Sequence, residues 1–427
     1  MSHIEATSVI GIAPVPAFGA LRHRDYRTYF LVGVLAMIAD TIEHVISYWM
    51  IYQKFHSPSL AGFAVISHWF PSLILSVHAG ALADRVDCRK LLQIAQGLFM
   101  ITSLAWGVLF LTDALQVWHA VLVLLVHGIA SVLFQPAQQL IIHDIVGSQH
   151  LPSAIRLNAS SRNLAVLLGP AAGGALLLLL GPAWGLLANV LNYIPFTLLL
   201  AFIPYTGHVH EETQKQRQVG MMLGEAGQVF REASKDRRIL LMVLLGGAAA
   251  LFVGNAFQSQ MPEYAHHFGT DKTGFAYSAL LAANAAGALL GVLLLESTDY
   301  LKPGVRTAII CAVIWSILIG LFPMAPNYGI ALTLLLLAGF FNITFSAMSQ
   351  TLVQLLAPAP VRGRIVGLYN TASLGLRTGS GFTVGVFGSV VGIYWSLGLS
   401  ASAVFLIALG LLIWDLAGGR AGGEGGP

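Results

Sequence analysis

Long apolar runs, separated by short polar or Pro/Gly-containing breaks, recur along nearly the whole chain. Each run holds roughly twenty residues, enough for a helix to cross about 30 Å of hydrocarbon. The runs show no alternation of polar and apolar positions, which favours helices. They predict an all-α membrane protein with twelve transmembrane helices, near residues 28–54, 60–83, 90–112, 118–142, 159–181, 184–205, 239–262, 273–297, 304–324, 327–353, 365–390 and 393–416.

The longest polar segment, residues 206–238, divides the predicted spans into six and six. We therefore expect an N-terminal six-helix half at 1–205, a linker at 206–238, and a C-terminal six-helix half at 239–427 that ends in a short glycine-rich tail. A shift of 212 residues also aligns 158–173 with 370–385, with identities at five positions. Two similar halves in parallel orientation are typical of secondary transporters that alternate between two states.

Charge sets the expected orientation. The chain has 22 Lys+Arg and 19 Asp+Glu and is 10% charged, whereas soluble domains average about 25% charged residues. The loops on one side carry only Lys54 and Lys272 as cations, while the termini and the loops on the other side hold most of the rest. The positive-inside rule places both termini and the linker in the cytoplasm, and we expect a multi-pass protein of the cytoplasmic (inner) membrane. The net charge of +3 says little about partners. We expect a monomer in the lipid bilayer with no nucleic-acid partner.

The first span carries a polar stripe. Its members follow i, i+3, i+4, i+7 spacing and so share one helix face: Asp40, Glu43, His44 and Ser47. An acid at a helix centre costs about 2.5–3.5 kcal/mol on insertion scales, so this face requires an aqueous cavity or buried partners. The hypothesis is that Asp40 or Glu43 exchanges the driving proton, with His44 tuning it or contacting substrate. The alternative is a static polar cluster that locks the first span to its neighbours.

Other polar residues within the spans are candidates for the same cavity. In the seventh span, Asn255, Gln258 and Ser259 form a matching face, predicted to lie opposite the first stripe. Arg377 lies deep in the eleventh span, and a deep arginine requires an anionic substrate, a buried carboxylate or cavity water; a purely structural ion pair is the alternative. Amides and hydroxyls of the fourth and tenth spans either line the cavity or bond neighbouring backbones: Gln135, Gln138, Ser346, Ser349 and Gln350.

The histidines and cysteines predict no metal site and no cofactor. His68, His78, His119 and His127 are scattered through the second and fourth spans, and a metal site would need tertiary contact between them. Cys88 and Cys311 are too few for a disulfide framework.

The charged stretch "GALADRVDCRK", residues 80–90, resembles the signature of the major facilitator superfamily in the same turn between the second and third spans. The matching positions are Gly80, Leu82, Ala83, Asp84, Arg85 and Arg89, while Asp87 and Cys88 depart from the pattern. The resemblance implies that Asp84, Arg85 and Arg89 form a cytoplasmic latch with the start of the eleventh helix, near Arg364, that favours the outward-open state. The alternative is that these charges only fix topology.

Residues 135–174 resemble the exporter branch that contains enterobactin-type siderophore exporters and macrolide efflux proteins. Within them, "GPAAGG" is similar to the fifth-helix motif of proton-driven antiporters, with Gly169, Pro170, Gly173 and Gly174. The resemblance implies alternating access and proton-coupled export of a small organic compound, such as a siderophore or an amphipathic drug. Glycines of this motif, with those at 375, 379, 381 and 385, then form a sliding seam or serve packing alone.

Two rival functions are open at this level. A metal-ion exporter of the same fold is the alternative within transport. A membrane-embedded enzyme is the alternative of another class, but the chain has neither His-Glu-x-x-His nor Gly-x-Ser-x-Gly. A Walker-type phosphate loop is also absent from the sequence. We therefore predict a transporter rather than an enzyme.

Overall fold

All regular secondary structure in the described part of the chain is helical. The computed structural model describes residues 18–208, 223–268, 274–297, 304–358 and 361–421. The helices of the first half are α1 (Arg24–Phe55), α2 (Pro58–Ala83), α3 (Cys88–Leu111) and a helical stretch Val117–Phe202 that comprises α4 (117–146), α5 (148–180) and α6 (182–202). A short 3₁₀ turn, Gly19–Arg22, precedes α1.

Two glycines reverse the chain within Val117–Phe202. Gly147 has φ 65° and Gly181 has φ 77°, a left-handed region that glycine enters without steric cost. Asn158 donates a hydrogen bond to Gln138 across the first reversal, although the two residues are 20 positions apart in sequence. A straight helix of that length would span about 30 Å. A Cβ on Gly185 would lie 3.4 Å from the Leu176 carbonyl oxygen across the second. The stretch is therefore three antiparallel helices.

The linker and the second half follow in the same manner. A linker helix covers Leu223–Ala233, and residues 209–222 of the predicted linker lie outside the described residues. The second half contains α7 (Arg237–Phe252), α8 (Phe275–Ser297), α9 (Val305–Leu321), α10 (Tyr328–Leu356), α11 (residues 362–391) and α12 (Ile393–Ala421). Short helices Ala256–Ser259 and Met261–His267 continue α7 beyond a break at Gly254.

The eleventh crossing is irregular. It begins as a helix at Arg362–Asn370, passes through a π-helical turn at Thr371–Gly375, and regains α geometry at Arg377–Ser380. A second π turn at Gly381–Val386 and a last turn at Gly388–Val391 complete it. Single π turns inside helices are frequently found at functional sites, because they re-aim side chains and free backbone groups.

Ten helices of the described residues are long and apolar enough to span a membrane. One of them, Ser153–Phe202, reverses at Gly181 and so crosses twice, and α11 adds a further crossing. The path is consistent with the predicted twelve-helix membrane fold. The fifth helix begins near residue 148 rather than 159, because its polar first turns pack onto the protein: the Tyr26 hydroxyl donates to the Ala154 carbonyl at 3.0 Å.

Helix starts follow from local sequence. Ser57 caps α2 by accepting a hydrogen bond from the Leu60 amide, with Pro58 at the first helical position. Asp87 caps α3, Asp236 caps α7 and Asn327 caps α10 in the same way. Short polar side chains before an apolar run satisfy amides that the helix leaves unpaired.

The two ends of the bundle differ in how the halves meet. We call the end with residues 56–57, 112–116 and 260–267 the hairpin face, and the end with residues 84–89, 203–208 and 233–236 the linker face. Side chains from both halves share one buried apolar cluster that includes Trp49, Tyr264 and Tyr277. A second cluster, around Tyr26, Leu92 and Ile203, contains described residues of the first half alone. The halves are therefore packed together towards the hairpin face.

Candidate functional site

The middle of α1 is enclosed by the other helices of the first half. A Cβ on Gly169 of α5 would lie 2.3 Å from Thr41 Cγ2, and Asn189 Nδ2 of α6 donates a hydrogen bond to the Ala39 carbonyl at 2.9 Å. Helices α2, α3 and α4 contact the same stretch through the polar side chains described below. The polar stripe of α1 therefore faces protein interior and not lipid, as its cost in hydrocarbon requires.

Glu43, His127 and Asp40 form a continuous chain of titratable groups. His127 Nδ1 of α4 donates to Glu43 Oε1 at 2.9 Å, and its Nε2 lies 3.1 Å from Asp40 Oδ1. The Glu43 side chain is 3% exposed, whereas that of Asp40 is 32% exposed. Because helices surround this part of α1, the exposed side of Asp40 opens towards the interior between the halves. One end of the chain is thus buried, and the other is accessible.

Glu43 is fixed at its buried end by one neutral donor, which a second neutral side chain supports. The Ser103 hydroxyl of α3 donates a short hydrogen bond to Glu43 Oε2. Asn189 Nδ2, fully buried, lies 3.4 Å from the Ser103 oxygen as well as bonding the α1 backbone. A buried carboxylate without such partners would be costly. These contacts fix the Glu43 carboxylate, whose Oε1 accepts the hydrogen bond from His127.

His44 extends the cluster towards α2. Its Nδ1 lies 2.8 Å from the Asp40 carbonyl oxygen, and its Nε2 lies 3.2 Å from His68 Nδ1. A carbonyl oxygen only accepts, so Nδ1 of His44 carries hydrogen and, in the neutral ring, Nε2 presents a lone pair to His68. The rings of His44 and His127 lie 4.8 Å apart, edge to face. Three histidines from α1, α2 and α4 thus meet around Asp40.

The stripe residues that sequence spacing predicted on one face, Asp40, Glu43 and His44, do meet in one cluster. Ser47 instead donates its hydroxyl to the His44 carbonyl at 3.1 Å. Sequence reasoning did not assign His68 and His127 to the site, because they reach α1 only by tertiary contact. The signal that could have found them is a titratable side chain inside an apolar run, which is rare and costly.

The polar residues of the seventh crossing lie just beyond its break. Asn255 precedes Ala256–Ser259, a turn that packs against α2 and α11. Its side-chain oxygen is buried and has no hydrogen-bond partner within the described part of the chain. Ser259 is buried and donates to the Ala256 carbonyl, while Gln258 is partly exposed. Their predicted position across a cavity from the α1 stripe stays a prediction.

Two arginines, one from each half, lie near this cluster. Arg377 of α11 stacks its guanidinium 5.3 Å from the ring centre of Trp69, whose neighbour in α2 is His68. Arg162 of α5 donates to Gln135 Oε1 at 3.1 Å and repels Arg377 electrostatically. Among the described residues, neither guanidinium makes an ion pair with a carboxylate. The site therefore presents two cations beside a cluster of acids and histidines.

The other predicted cavity residues differ in burial and in hydrogen bonding. Gln138 is buried and accepts a weak hydrogen bond from Asn158, and the Tyr369 hydroxyl donates to the Ser346 carbonyl at 3.4 Å. Gln350 is exposed. Their role in lining a cavity stays a prediction.

The charged turn at 84–89 lies at the linker face. Arg89 forms a two-pronged contact with Asp87, at 2.7 Å for Nη2, and donates to the Ile203 carbonyl at 2.8 Å. Hydrogen bonding to Arg89 holds the pKa of Asp87 below its usual value. The two departures from the signature thus have local roles, since Asp87 caps α3 and buried Cys88 bonds the Ala83 carbonyl.

The remaining latch residues are not engaged with one another in this structure. Asp84, Arg85 and Arg364 are exposed and, within the described ranges, join no ion pair. Gly80 lies in open space near the end of α2.

The glycines serve two kinds of close approach. Gly169 and Gly173 of α5 lie against Thr41 and Val45 of α1, within the first half. Gly174 lies against Ser278 of α8, between the halves. Pro170, which follows Gly169 in the sequence, is buried.

A second close approach joins α2 and α11. A Cβ on Gly385 would lie 2.2 Å from the Gly62 Cα, and one on Gly381 would lie 2.7 Å from the Gly62 carbonyl oxygen. Only glycine permits backbones to approach this closely. The contact between the halves near the hairpin face therefore depends on residues without side chains.

Comparison with known proteins identifies the class. The family model described as transmembrane secretion effector, within the major facilitator superfamily, matches residues 15–421. The chain belongs to this family. It is similar to the enterobactin exporter EntS of Shigella boydii, with 25% identity over 398 residues that cover 92% of this chain and 91% of that protein. It is also similar to the staphyloferrin A transporter of Staphylococcus aureus, with 24% identity over 172 residues, 40% of this chain and 43% of that one.

The fold agrees with this membership. A bacterial homologue of the human lysosomal transporter Spinster, solved in an inward-facing and unoccupied conformation, superimposes with a TM-score of 0.66 at 14% identity, over 91% of this chain and 95% of that one. This member of the transmembrane secretion effector family is thus a multi-pass membrane transporter and not an enzyme, as the motifs at 80–90 and 135–174 predicted.

Proposed function

We propose that this protein is a proton-coupled exporter of a small anionic organic compound of the siderophore type, working by alternating access in the inner membrane. The observation that carries the proposal is the Glu43–His127–Asp40 chain, held in the membrane-spanning part of a transporter. The partners are the substrate and protons. Full-length similarity to an enterobactin exporter supports the siderophore class.

The chain of groups suits proton exchange. His127 contacts one carboxylate with each ring nitrogen, and a proton shared among the three groups alters the net charge facing the interior. Asp40 is the accessible member and Glu43 the buried one. Asp40 is therefore the group that exchanges protons with the cavity or with substrate, while Ser103 and Asn189 hold Glu43 in place.

The positive charges of Arg162 and Arg377 favour an anionic substrate. Among the described residues these two like charges have no carboxylate partner, and they repel each other. An anion bound between them relieves the repulsion and gains charge-assisted hydrogen bonds. Their positions on α5 and α11 let such an anion contact both halves at once. Protonation of the nearby acids changes the local charge that the substrate meets, which links proton movement to substrate binding.

The contact pattern supports an inward-facing conformation. With the linker face and both termini in the cytoplasm, as the distribution of Lys and Arg favours, the contacts between halves lie on the outer side. Tyr277 donates to the Val45 carbonyl at 2.8 Å, and Gln260 donates to the Pro58 carbonyl at 3.0 Å. In this proposal the halves 1–205 and 239–427, joined by the 206–238 linker, rock about the central site.

Transport in inverted vesicles or proteoliposomes with an acidic lumen tests the proposal, with enterobactin as the probe. The wild type should accumulate the probe when the pH gradient is present. Asp40→Asn and Glu43→Gln should abolish this gradient-driven accumulation, while energy-independent counterflow survives in at least one of them, because binding and conformational exchange do not require the proton.

The matched control is His78→Gln, a change at an exposed histidine of α2 outside the cluster, which should retain gradient-driven transport. If both acidic variants fold and keep full gradient-driven transport, the proton site lies elsewhere. If the wild type accumulates no enterobactin with or without a gradient, the siderophore class is wrong.

A further inference from the structure

Proton exchange does not explain why three histidines surround Asp40. The Glu43–His127–Asp40 chain needs neither His44 nor His68, yet these two rings lie against it from α1 and α2. In addition, Asp40 Oδ1 and His127 Nε2 are buried and lie 3.1 Å apart, and among the described residues neither atom has a hydrogen-bond partner of good geometry. We propose that His44, His68, His127 and Asp40 form a binding site for one divalent transition-metal ion with tetrahedral preference, of the zinc or cobalt class.

The distances suit such a site. Tetrahedral zinc holds histidine nitrogens at about 2.0–2.1 Å, which places neighbouring ligand atoms about 3.3 Å apart. His44 Nε2 lies 3.2 Å from His68 Nδ1, and His127 Nε2 lies 3.1 Å from Asp40 Oδ1. Ligand nitrogens of the three histidines all fall within 4.8 Å of one another. Two of the distances between ligand atoms thus already match a tetrahedron, and small rotations of the rings shorten the others to the same value.

The groups behind the ligands hold the rings in the required orientation. His44 donates Nδ1–H to the Asp40 carbonyl, which leaves Nε2 as the metal-facing atom. His127 donates Nδ1–H to Glu43, which leaves Nε2 as the metal-facing atom there. A histidine whose second nitrogen bonds a carboxylate or a backbone carbonyl is the usual arrangement behind a metal ligand.

Charge and access also fit a divalent ion. The carboxylates of Asp40, as a ligand, and Glu43, behind His127, supply two negative charges, while the three imidazoles are neutral. A divalent ion therefore makes the buried cluster neutral. Three nitrogens and one oxygen are donors that zinc and cobalt accept readily. His127 is 4% exposed, while Asp40 and His44 are partly open to the interior, which gives the ion a route in. The cations that face the cluster from other helices are Arg162 and Arg377.

Binding by the purified full-length chain in detergent tests the site without any transport step. Zinc titration should show one saturable site per chain, and cobalt should give the strong visible absorption of a tetrahedral nitrogen and oxygen environment. His68→Ala and His127→Gln should each weaken zinc binding by at least about tenfold, and Glu43→Gln by about 10–100-fold through loss of support behind His127.

His78→Ala, at an exposed histidine of α2, and His119→Ala, at a partly exposed histidine in the first turn of α4, are the matched controls and should leave the affinity unchanged. Absence of a saturable site in the wild type would overturn the proposal without any variant. Retention of wild-type affinity in folded His68→Ala, or an octahedral cobalt spectrum, would also overturn it. The metal and the proton chain share Asp40 and His127, but this assay needs neither a proton gradient nor a siderophore, so its failure is distinguishable from failure of the export assay.

Discussion

At the scale of single residues, the central cluster shows which contacts helical spacing can predict and which it cannot. Asp40, Glu43 and His44 could be placed together from the sequence, because i, i+3, i+4 spacing within one helix fixes a common face. His127 could not, since it is 84 residues from Glu43 and reaches it only when α4 packs on α1. For the same reason, the sequence required a partner for Arg377 but could not identify Trp69 as its contact.

The cation of Arg377 should bind the anionic part of the substrate. Charge-assisted hydrogen bonds contribute about 1.5–3 kcal/mol each, so Arg377→Gln should raise the apparent KM for enterobactin by roughly tenfold or more. Arg377→Lys should recover part of the affinity, because it keeps the charge beside Trp69 but loses the planar donors. Concentration-dependent transport in proteoliposomes measures both.

Arg306→Gln is the matched control, since Arg306 of α9 pairs with Asp415 of α12, away from the central cluster. An unchanged KM in Arg377→Gln, with normal protein yield, would indicate that Arg377 has a structural role only.

At the scale of elements, hydropathy predicted the crossings but not their irregularities. A window of about twenty residues averages over a break such as Gly254, where φ is 48° and α7 stops. It also averages over the π turns of α11, which depend on contacts such as that of Thr383 Oγ1 with the Phe252 carbonyl at 2.7 Å. The broken parts of α7 and α11 lie against each other, so neither break follows from its own sequence alone.

The crossing of α2 and α11 should control closure at the hairpin face. A valine at Gly385 would place atoms against the backbone of Gly62, which cannot move aside as a side chain would. Gly385→Val should therefore destabilise the conformation seen here, favour the opposite one and reduce transport. The measurement is the rate at which a water-soluble thiol reagent labels a cysteine introduced at Ser278, a residue of α8 that is buried against α5. The reagent should react faster in the variant.

Gly385→Ala should give a smaller change in the same direction. Gly410→Val in α12 is the control, because a Cβ there meets open space, and its labelling rate should match that of the parent. Equal labelling and equal transport in Gly385→Val and Gly410→Val would contradict a gating role for this crossing.

At the scale of the whole molecule, the membrane fold could be predicted because lipid permits few solutions. Apolar length sets the crossings, and the chain must satisfy its backbone within each helix. The conformation could not be predicted, because the two states of a transporter share one sequence and differ by only a few kcal/mol. The exposed positions of Asp84, Arg85 and Arg364 belong to one of those states.

The proposed latch acts on the equilibrium between the two conformations of the transporter. In the conformation described here Asp84 is exposed and outside the ion pairs of the described residues, so Asp84→Asn should leave this state unchanged. In the opposite state, Asp84 is expected to accept hydrogen bonds from the start of α11 near Arg364, where unpaired helix amides attract a carboxylate. Asp84→Asn should therefore shift the equilibrium by about 1–3 kcal/mol towards the conformation seen here.

Transport should then fall about 5–150-fold, while enterobactin binding to the purified protein stays within a few-fold, because the central site is unaltered. Proteoliposome transport and equilibrium binding measure the two quantities on the same preparation. Glu232→Gln is the matched control, since the linker helix also packs against the start of α11 but the carboxylate of Glu232 pairs locally with Lys235. Full transport in Asp84→Asn would leave the charges of the 84–89 turn with the role of fixing topology alone.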